Sequence, residues 1–323
     1  MRSSVAAVII SLLISGQSFA QHAGLKKRLA VMDMSITNTA MAAPTGGGGT
    51  AYSTTIAIPP PTDFAMALTE VLTTELARTG KFIVLERKSI ADINAEQELG
   101  ASGKVNAETA SKAGSIIGAQ VLVRCAISEY SYTQTGTSSS LKVIKGLSLG
   151  ATMVRAQVGI DTRVYDAKTS EVLASTVTRG TATAKGADIK MSNARMDASA
   201  GGFVTTPLGQ ASREALSGAV QFIVEKLGST PWEARVIRTD GKDIYLNAGE
   251  ESGVTPGATF GIYHGGAALI DPASGTDLGT PDTQVGVLRI KTVRPKYAVA
   301  ELVSGELPQR NDIVRTEKQG VNP

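Results

Sequence analysis

Hydrophobic and polar positions alternate in runs that predict a strand-rich first half. Arg28 to Met34 (RLAVMDM) reads as a first strand, entered from Lys26-Lys27. A polar, Gly-rich stretch from about Ser35 to Pro61 follows, long enough to be a functional loop. Phe64, Leu68, Val71, Leu72 and Leu76 then recur at helical spacing. That stripe predicts a core-facing helix, capped by Thr62 or Asp63 and stopped at Gly80, where glycine tolerates a left-handed backbone. Lys81–Arg87 predicts a strand, and Ser89 with Asp92 three residues on predicts a capped short helix over Ile90–Leu99. A further helix is expected over Ala107–Gly114 with Asn106 as its cap. Gln120–Ser128, Ala156–Asp166 and Glu171–Arg179 read as strands, the last two joined by an Asp166–Ser170 turn. Thr206 caps, and Pro207 opens, a long amphipathic helix to Leu227.

Gly228-Ser229-Thr230-Pro231 breaks the pattern. Beyond it come short strands at Ala234–Arg238, Ile244–Asn247, Thr259–Tyr263, Gln284–Thr292 and Tyr297–Val303, separated by turn residues. Such spacing predicts a small β-barrel. The expected organisation is a leader over 1–20, an α/β domain over 21–228 and a small barrel over 231–317.

Two insertions interrupt the α/β domain, at about 131–155 and 180–205, each long enough for a membrane β-hairpin. In the first, alternate positions Leu141, Val143, Leu147, Leu149, Ala151 and Met153 are apolar, while the residues between them are mostly polar. These six are the candidate lipid-facing residues. Lys145 interrupts that face, which places it near a turn or rim, because a lysine at the bilayer midplane costs about 2–4 kcal/mol. The second insertion carries small apolar residues and several charges, including Asp188, Lys190, Arg195 and Asp197. An exposed β-ribbon or an ordered surface loop remains the alternative for both.

Composition narrows the function. The sequence holds 32 Lys+Arg against 29 Asp+Glu; without Arg2 of the leader the balance is 31 against 29, a net charge of +2. No concentrated basic face for nucleic acid follows from that balance. One cysteine, Cys125, excludes a disulfide framework and a cysteine zinc site. Arg2, the apolar run Val5–Ile14 and Ser18-Phe19-Ala20 have the form of a secretory leader cleaved after Ala20. No cysteine follows it, so a lipobox anchor is not expected. Catalytic patterns are absent: Gly46–Gly49 lacks a following Lys-Ser/Thr, and Ser139-Ser140-Leu141-Lys142 lacks a helix to aim its serine. Cys125 reads as a core thiol and His264 as a loop residue. No enzyme, cofactor or metal is expected.

The series Leu29–Asp33, the helix from Asp63, Phe82–Arg87, Gly118–Val123, and Arg163–Asp166 through Glu171–Leu173 resembles the CsgG family, the curli production assembly/transport component. That resemblance implies an α+β chain: a periplasmic α/β domain with a mixed sheet, two inserted hairpins and ring-shaped homo-oligomers sharing an outer-membrane barrel. It also implies passive export of unfolded subunits of an amyloid fibre, aided by periplasmic accessory proteins, with no nucleic acid involved. The family narrows its channel with a loop after the first strand; Tyr52, with Ser53, Thr54 and Thr55, is the corresponding candidate here. The segment from Trp232 resembles the SH3-like barrels of FlgT-type flagellar assembly proteins, through Gly249, Gly253-Val254, Gly257 and Phe260–Tyr263. The alternative function is a soluble periplasmic scaffold docking on envelope machinery, in the style of penicillin-binding-protein activators or flagellar accessory proteins.

Overall fold

The computed structural model describes residues 24–37, 51–57, 60, 63–87, 89–106, 108–111, 117–137, 152–185, 206–267, 269–273 and 281–316. The leader, His22, Gly46–Gly49, and the candidates Leu141, Val143, Leu147, Leu149 and Ala151 lie outside the described residues. The chain forms two compact units: one of Leu29–Arg78 with Val84–Lys226, the other of the N-terminal residues to Arg28, Thr79–Ile83 and Leu227–Pro323.

The first unit is built on long strands. In chain order these are β1 (Lys27–Val31), β2 (Ser35–Ile36), β3 (Ala51–Ala57), β4 (Phe82–Leu85), β5 (Val121–Thr137), β6 (Thr152–Asp166) and β7 (Val172–Lys185). The helices are α1 (Phe64–Arg78), α2 (Ile90–Ala101) and α3 (Pro207–Ser229). The sheet runs β4-β1-β5-β6-β7, with β2 and β3 also pairing along β5. It is mixed: β1 and β2 lie parallel to β5, while β3, β6 and β7 join in antiparallel order.

Alternation sorts the sheet into two faces. Val123, Cys125, Ile127, Val154, Ala156, Val158, Ile160 and Val164 are buried, as are Leu68, Leu72 and Leu76 of α1 and Ala211, Ala215, Ala219 and Ile223 of α3. Phe64 meets Tyr130 edge-on, with ring centroids 5.1 Å apart. Small residues let α3 come close to β7. A Cβ on Gly180 would run into the Ala211 carbonyl and stand 2.7 Å from the Ala215 nitrogen, and Thr178 Oγ1 donates to the Ala215 carbonyl at 2.9 Å.

Caps decide the helix ends. Thr206 Oγ1 accepts the Gly209 amide at 3.0 Å, so the expected cap before Pro207 forms. Gly80 adopts φ 64° after α1. Ser89 differs: it starts α2 but its side chain makes no cap hydrogen bond. Of the helix expected over Ala107–Gly114, the described residues 108–111 form a turn, in which the Asn106 side chain accepts the Glu108 amide at 3.0 Å.

The second unit contains the strands β8 (Glu233–Asp240), β9 (Asp243–Leu246), β10 (Thr259–Gly265), β11 (Asp282–Val293), β12 (Ala298–Gly305) and β13 (Ile313–Arg315). They form a closed antiparallel barrel, ordered β10-β11-β12-β9-β8-β13. Closure comes from β13, which pairs with both β8 and β10. Trp232, Phe260, Ile244, Leu246, Ile262, Leu288 and Ile290 fill the interior. The N-terminal residues join this unit: Leu25 packs on that core, Lys26 donates its amide to the Ser252 carbonyl at 2.9 Å, and Trp232 Nε1 donates to the Lys26 carbonyl at 3.2 Å. Lys27 Nζ donates to the carbonyls of Leu227 and Thr230 at the end of α3, where a cation complements the helix dipole. Burial lowers that amine to about 8, against a smaller opposing pull from Glu233.

Gly180→Ala should destabilise the first unit by about 1–3 kcal/mol, because α3 must retreat from β7. Urea unfolding measures it; an unchanged midpoint would mean that helix and strand do not rely on this close approach.

Candidate functional site

The strands flanking both insertions run past the helices as a ribbon. β5 continues beyond Tyr130 to Thr137, β6 begins at Thr152, and β7 continues beyond Arg179 to Lys185. Register aligns Thr135 with Met153, Thr133 with Arg155 and Thr183, Ser131 with Gln157 and Thr181, and Glu129 with Gly159 and Arg179. This side is polar. The opposite side of the same strands carries Val154, Ala156, Val158, Gly180 and Ala182, which continue the apolar face under the helices.

An ion pair stands at the foot of the polar side. Arg179 Nη2 lies 2.6 Å from Glu129 Oε1, its Nε donates to both carboxylate oxygens, and Gln157 Nε2 donates to Oε2 at 2.7 Å. Gly159, between the two ionic partners in the register, makes this possible. A Cβ there would stand 2.9 Å from the Glu129 Cβ, so the bare backbone leaves room for the carboxylate to cross β6. Hydrogen bonding from Arg179 holds the Glu129 carboxyl below its ordinary range, against some burial. Further down, Ser128 donates to Asp161 at 2.9 Å, and Arg124 stands opposite Arg163.

The sequence-derived candidates fall in different places. Met153 is exposed, on the polar side with Arg155 and Gln157. Tyr52, Ser53, Thr54 and Thr55 belong to β3, opposite Gly136, Thr135, Gln134 and Thr133 of β5. The stretch from Ser35 to Pro61, expected as a loop, therefore contains the short β2 at its start and the longer β3. Its Thr54-Thr55-Ile56 core has strand propensity that the surrounding glycines and prolines mask. Cys125 is a buried core thiol, 3.5 Å from Thr162 Oγ1, and burial pushes it up to about 11. His264 is in strand β10 rather than a loop, with Nδ1 2.8 Å from the buried Asp312. The Glu129–Arg179 pair was not singled out from sequence; its signal is a glycine aligned between two opposite charges, visible only once the register is known. Among the described residues no group of acids, histidines or thiols is gathered to hold a metal, and no helix is long and apolar enough to cross a membrane.

The described residues thus form a mixed sheet carrying a two-sided antiparallel ribbon, and a small closed barrel. The chain belongs to the CsgG family, described as curli production assembly/transport component CsgG, which it matches over residues 11–242. No curated protein matches it. Among solved structures it is similar to hypothetical protein CT253 from Chlamydia trachomatis, at 13% identity and TM-score 0.36, covering 64% of this chain and 99% of that one. It is also similar to protein XCC0632 from Xanthomonas campestris, at 10% identity and TM-score 0.29, covering 62% and 83%.

The depressed Glu129 carboxyl contributes stability above its unfolded value of 4.5, and the contribution is lost as pH falls through the lower folded value. The difference in unfolding free energy between the native chain and Glu129→Gln should be level above about pH 5 and shrink below it. A pH-independent difference would show that the carboxyl is not held down by Arg179.

Proposed function

We propose that the chain is a subunit of an oligomeric outer-membrane secretion channel of the curli export type, through which unfolded protein subunits pass without an energy source on this chain. The observation that carries this reading is the two-sided ribbon, whose three strands continue straight into both insertions. A ribbon with open borders is not tolerated in hydrocarbon, where every backbone donor and acceptor must be paired internally. Several copies must therefore close one barrel. In that barrel Leu141, Val143, Leu147, Leu149, Ala151 and Met153 face lipid, and β3, with Tyr52, Ser53, Thr54 and Thr55, borders the narrow part of the conduit.

In this reading the chain is exported with cleavage after Ala20, the channel-forming domain spans 21–228, and the barrel over 231–317 is a periplasmic docking module of SH3-like type, similar to those of FlgT-type proteins. Accessory proteins of the periplasm are its partners.

Purified chain added to a planar bilayer should give discrete conductance steps. Leu149→Arg, which costs about 2–4 kcal/mol per copy at a lipid-facing midplane position, should abolish them while leaving the barrel unit folded. A detergent-independent monomer without conductance would overturn the channel in favour of a periplasmic scaffold.

A further inference from the structure

Below the Glu129–Arg179 pair, the polar side of the sheet sets two like charges face to face. Arg124 of β5 stands directly opposite Arg163 of β6, and Ser175 of β7 completes the row. Side chains so placed lie about 4.5–5.5 Å apart at Cβ, where like charges destabilise a sheet. Both arginines are exposed. The carboxylates of this side are engaged elsewhere: Glu129 takes Arg179 and Gln157, and Asp161 takes the Ser128 hydroxyl. Neither Arg124 nor Arg163 has an ion-pair partner among the described residues.

Apolar side chains frame the two arginines. Val177, 45% exposed, stands in the row above with Ala126 and Asp161, and Val172, 49% exposed, in the row below with Leu122 and Tyr165. Each guanidinium fork can donate to both oxygens of a carboxylate. The face therefore fits a segment that presents carboxylates beside apolar side chains, and such a segment would relieve the repulsion between the arginines.

Position selects the occupant. Met153, of the proposed lipid-facing row, lies on this same side of β6, so on the channel reading the side turns away from the conduit and the exported chain does not pass it. Arg163 is ten residues further along β6, which is about 33 Å at roughly 3.3 Å per residue. Lipid headgroups at the bilayer border are then well beyond a Debye length of about 8–10 Å.

We propose that the Arg124–Arg163 face of the sheet is a docking surface for an acidic segment of a separate periplasmic protein, whose carboxylates settle between the two guanidinium groups. The choice of occupant rests on the channel reading; the surface itself is additional to the ribbon and to the barrel.

Binding of fluorescein-labelled hexaglutamate to the full chain in detergent, followed by anisotropy, tests it. Affinity should fall as salt rises and fall at least about tenfold in Arg124→Glu and in Arg163→Glu. Arg294→Glu, the same charge change at an exposed position of the barrel unit, should leave it unaltered. The variant with both arginines changed to glutamate should lose hexaglutamate and take hexalysine instead. Unaltered affinity in the Arg124 and Arg163 variants, or an equal loss in Arg294→Glu, overturns the proposal. Glycerol phosphate that displaces the peptide as well as unlabelled hexaglutamate does overturns it in favour of a phosphate ligand. A change of oligomer size in the doubly changed variant, by light scattering, overturns it in favour of a contact between copies.

Stability supplies a readout that a structural role would move the other way. Arg163→Glu sets opposite charges across the strands and should raise the urea midpoint of the same chain that has lost the peptide. A lowered midpoint would mean that the arginine serves the sheet itself, and overturns the proposal. Bilayer conductance of the native chain is read separately. A chain that binds the peptide and does not conduct sinks the channel reading, whereas a conducting chain whose peptide binding ignores these arginines sinks only the docking surface.

Discussion

The alternation of side chains along β6 and β7, which β5 joins through a bulge between Ile127 and Glu129, is the constraint on which the structure depends. Each strand places consecutive residues on opposite faces, so a strand longer than the helices that cover it carries its two faces out beyond the core. Val158 and Ile160 are buried under helices while Gly159 and Asp161, between them, serve the other face. The same parity continues upward through Ala156 and Val154 on one side and Gln157 and Arg155 on the other. The polar side of the ribbon is thus set by the register of the core.

Holding that register requires α3 to fit closely, and the sequence meets the need by removing side-chain volume. Gly180 on β7 and Ala211, Ala215 and Ala219 on α3 bring helix and strand together, and the hydroxyl of Thr178 satisfies the Ala215 carbonyl. Gly159 does the same on the opposite face, where its missing Cβ admits the Glu129 carboxylate to Arg179. The high glycine count is in part a consequence of these close approaches. In the barrel unit, charge is paired at partly buried positions and at the buried Asp312. Arg315 reaches Glu233 and Asp282 at 2.5 and 2.6 Å and lies over the Tyr263 ring, while Asp312 serves both His264 and the Gln309 amide. Pairing of this kind is what makes buried charge tolerable.

Much of this order was legible in the sequence because it rests on local rules. The helical stripe of α1, the Thr206-Pro207 entry to α3 and the turn-separated short strands of the barrel each follow from spacing or capping chemistry over a few residues. What was not legible depends on distant partners. β3 looks like a loop because glycines and prolines surround it, and only β5, some eighty residues on, makes it a strand. β13 is three residues long and carries no period, yet it closes the barrel between β8 and β10. Ser89 has the spacing of a capping box but forms no side-chain cap, since the local signal states a possibility that the surrounding backbone need not use. The Glu129–Arg179 pair required the register across three strands.

Met153 marks where the two kinds of reading meet. Below it, odd-numbered positions of β6 are polar (Arg155, Gln157) and even-numbered ones apolar (Val154, Ala156, Val158); in the sequence above it, odd positions from Leu147 to Met153 are apolar and even ones mostly polar. On the channel reading, and with the alternation unbroken, each face of the ribbon would change its solvent at this level. The side that meets water beside Arg155 would meet acyl chains beside Leu149, and the side packed under the helices would open to water above. On the channel reading, a strand must make that exchange once, where it leaves the aqueous domain and enters the bilayer, because the helices cover the side that later becomes the lumen. A ribbon that left the helices for water would meet the same solvent on both sides above this level, and would call for an apolar row on neither. The inversion of parity at Met153 is therefore the feature of this sequence that a membrane border explains and a water-exposed ribbon does not.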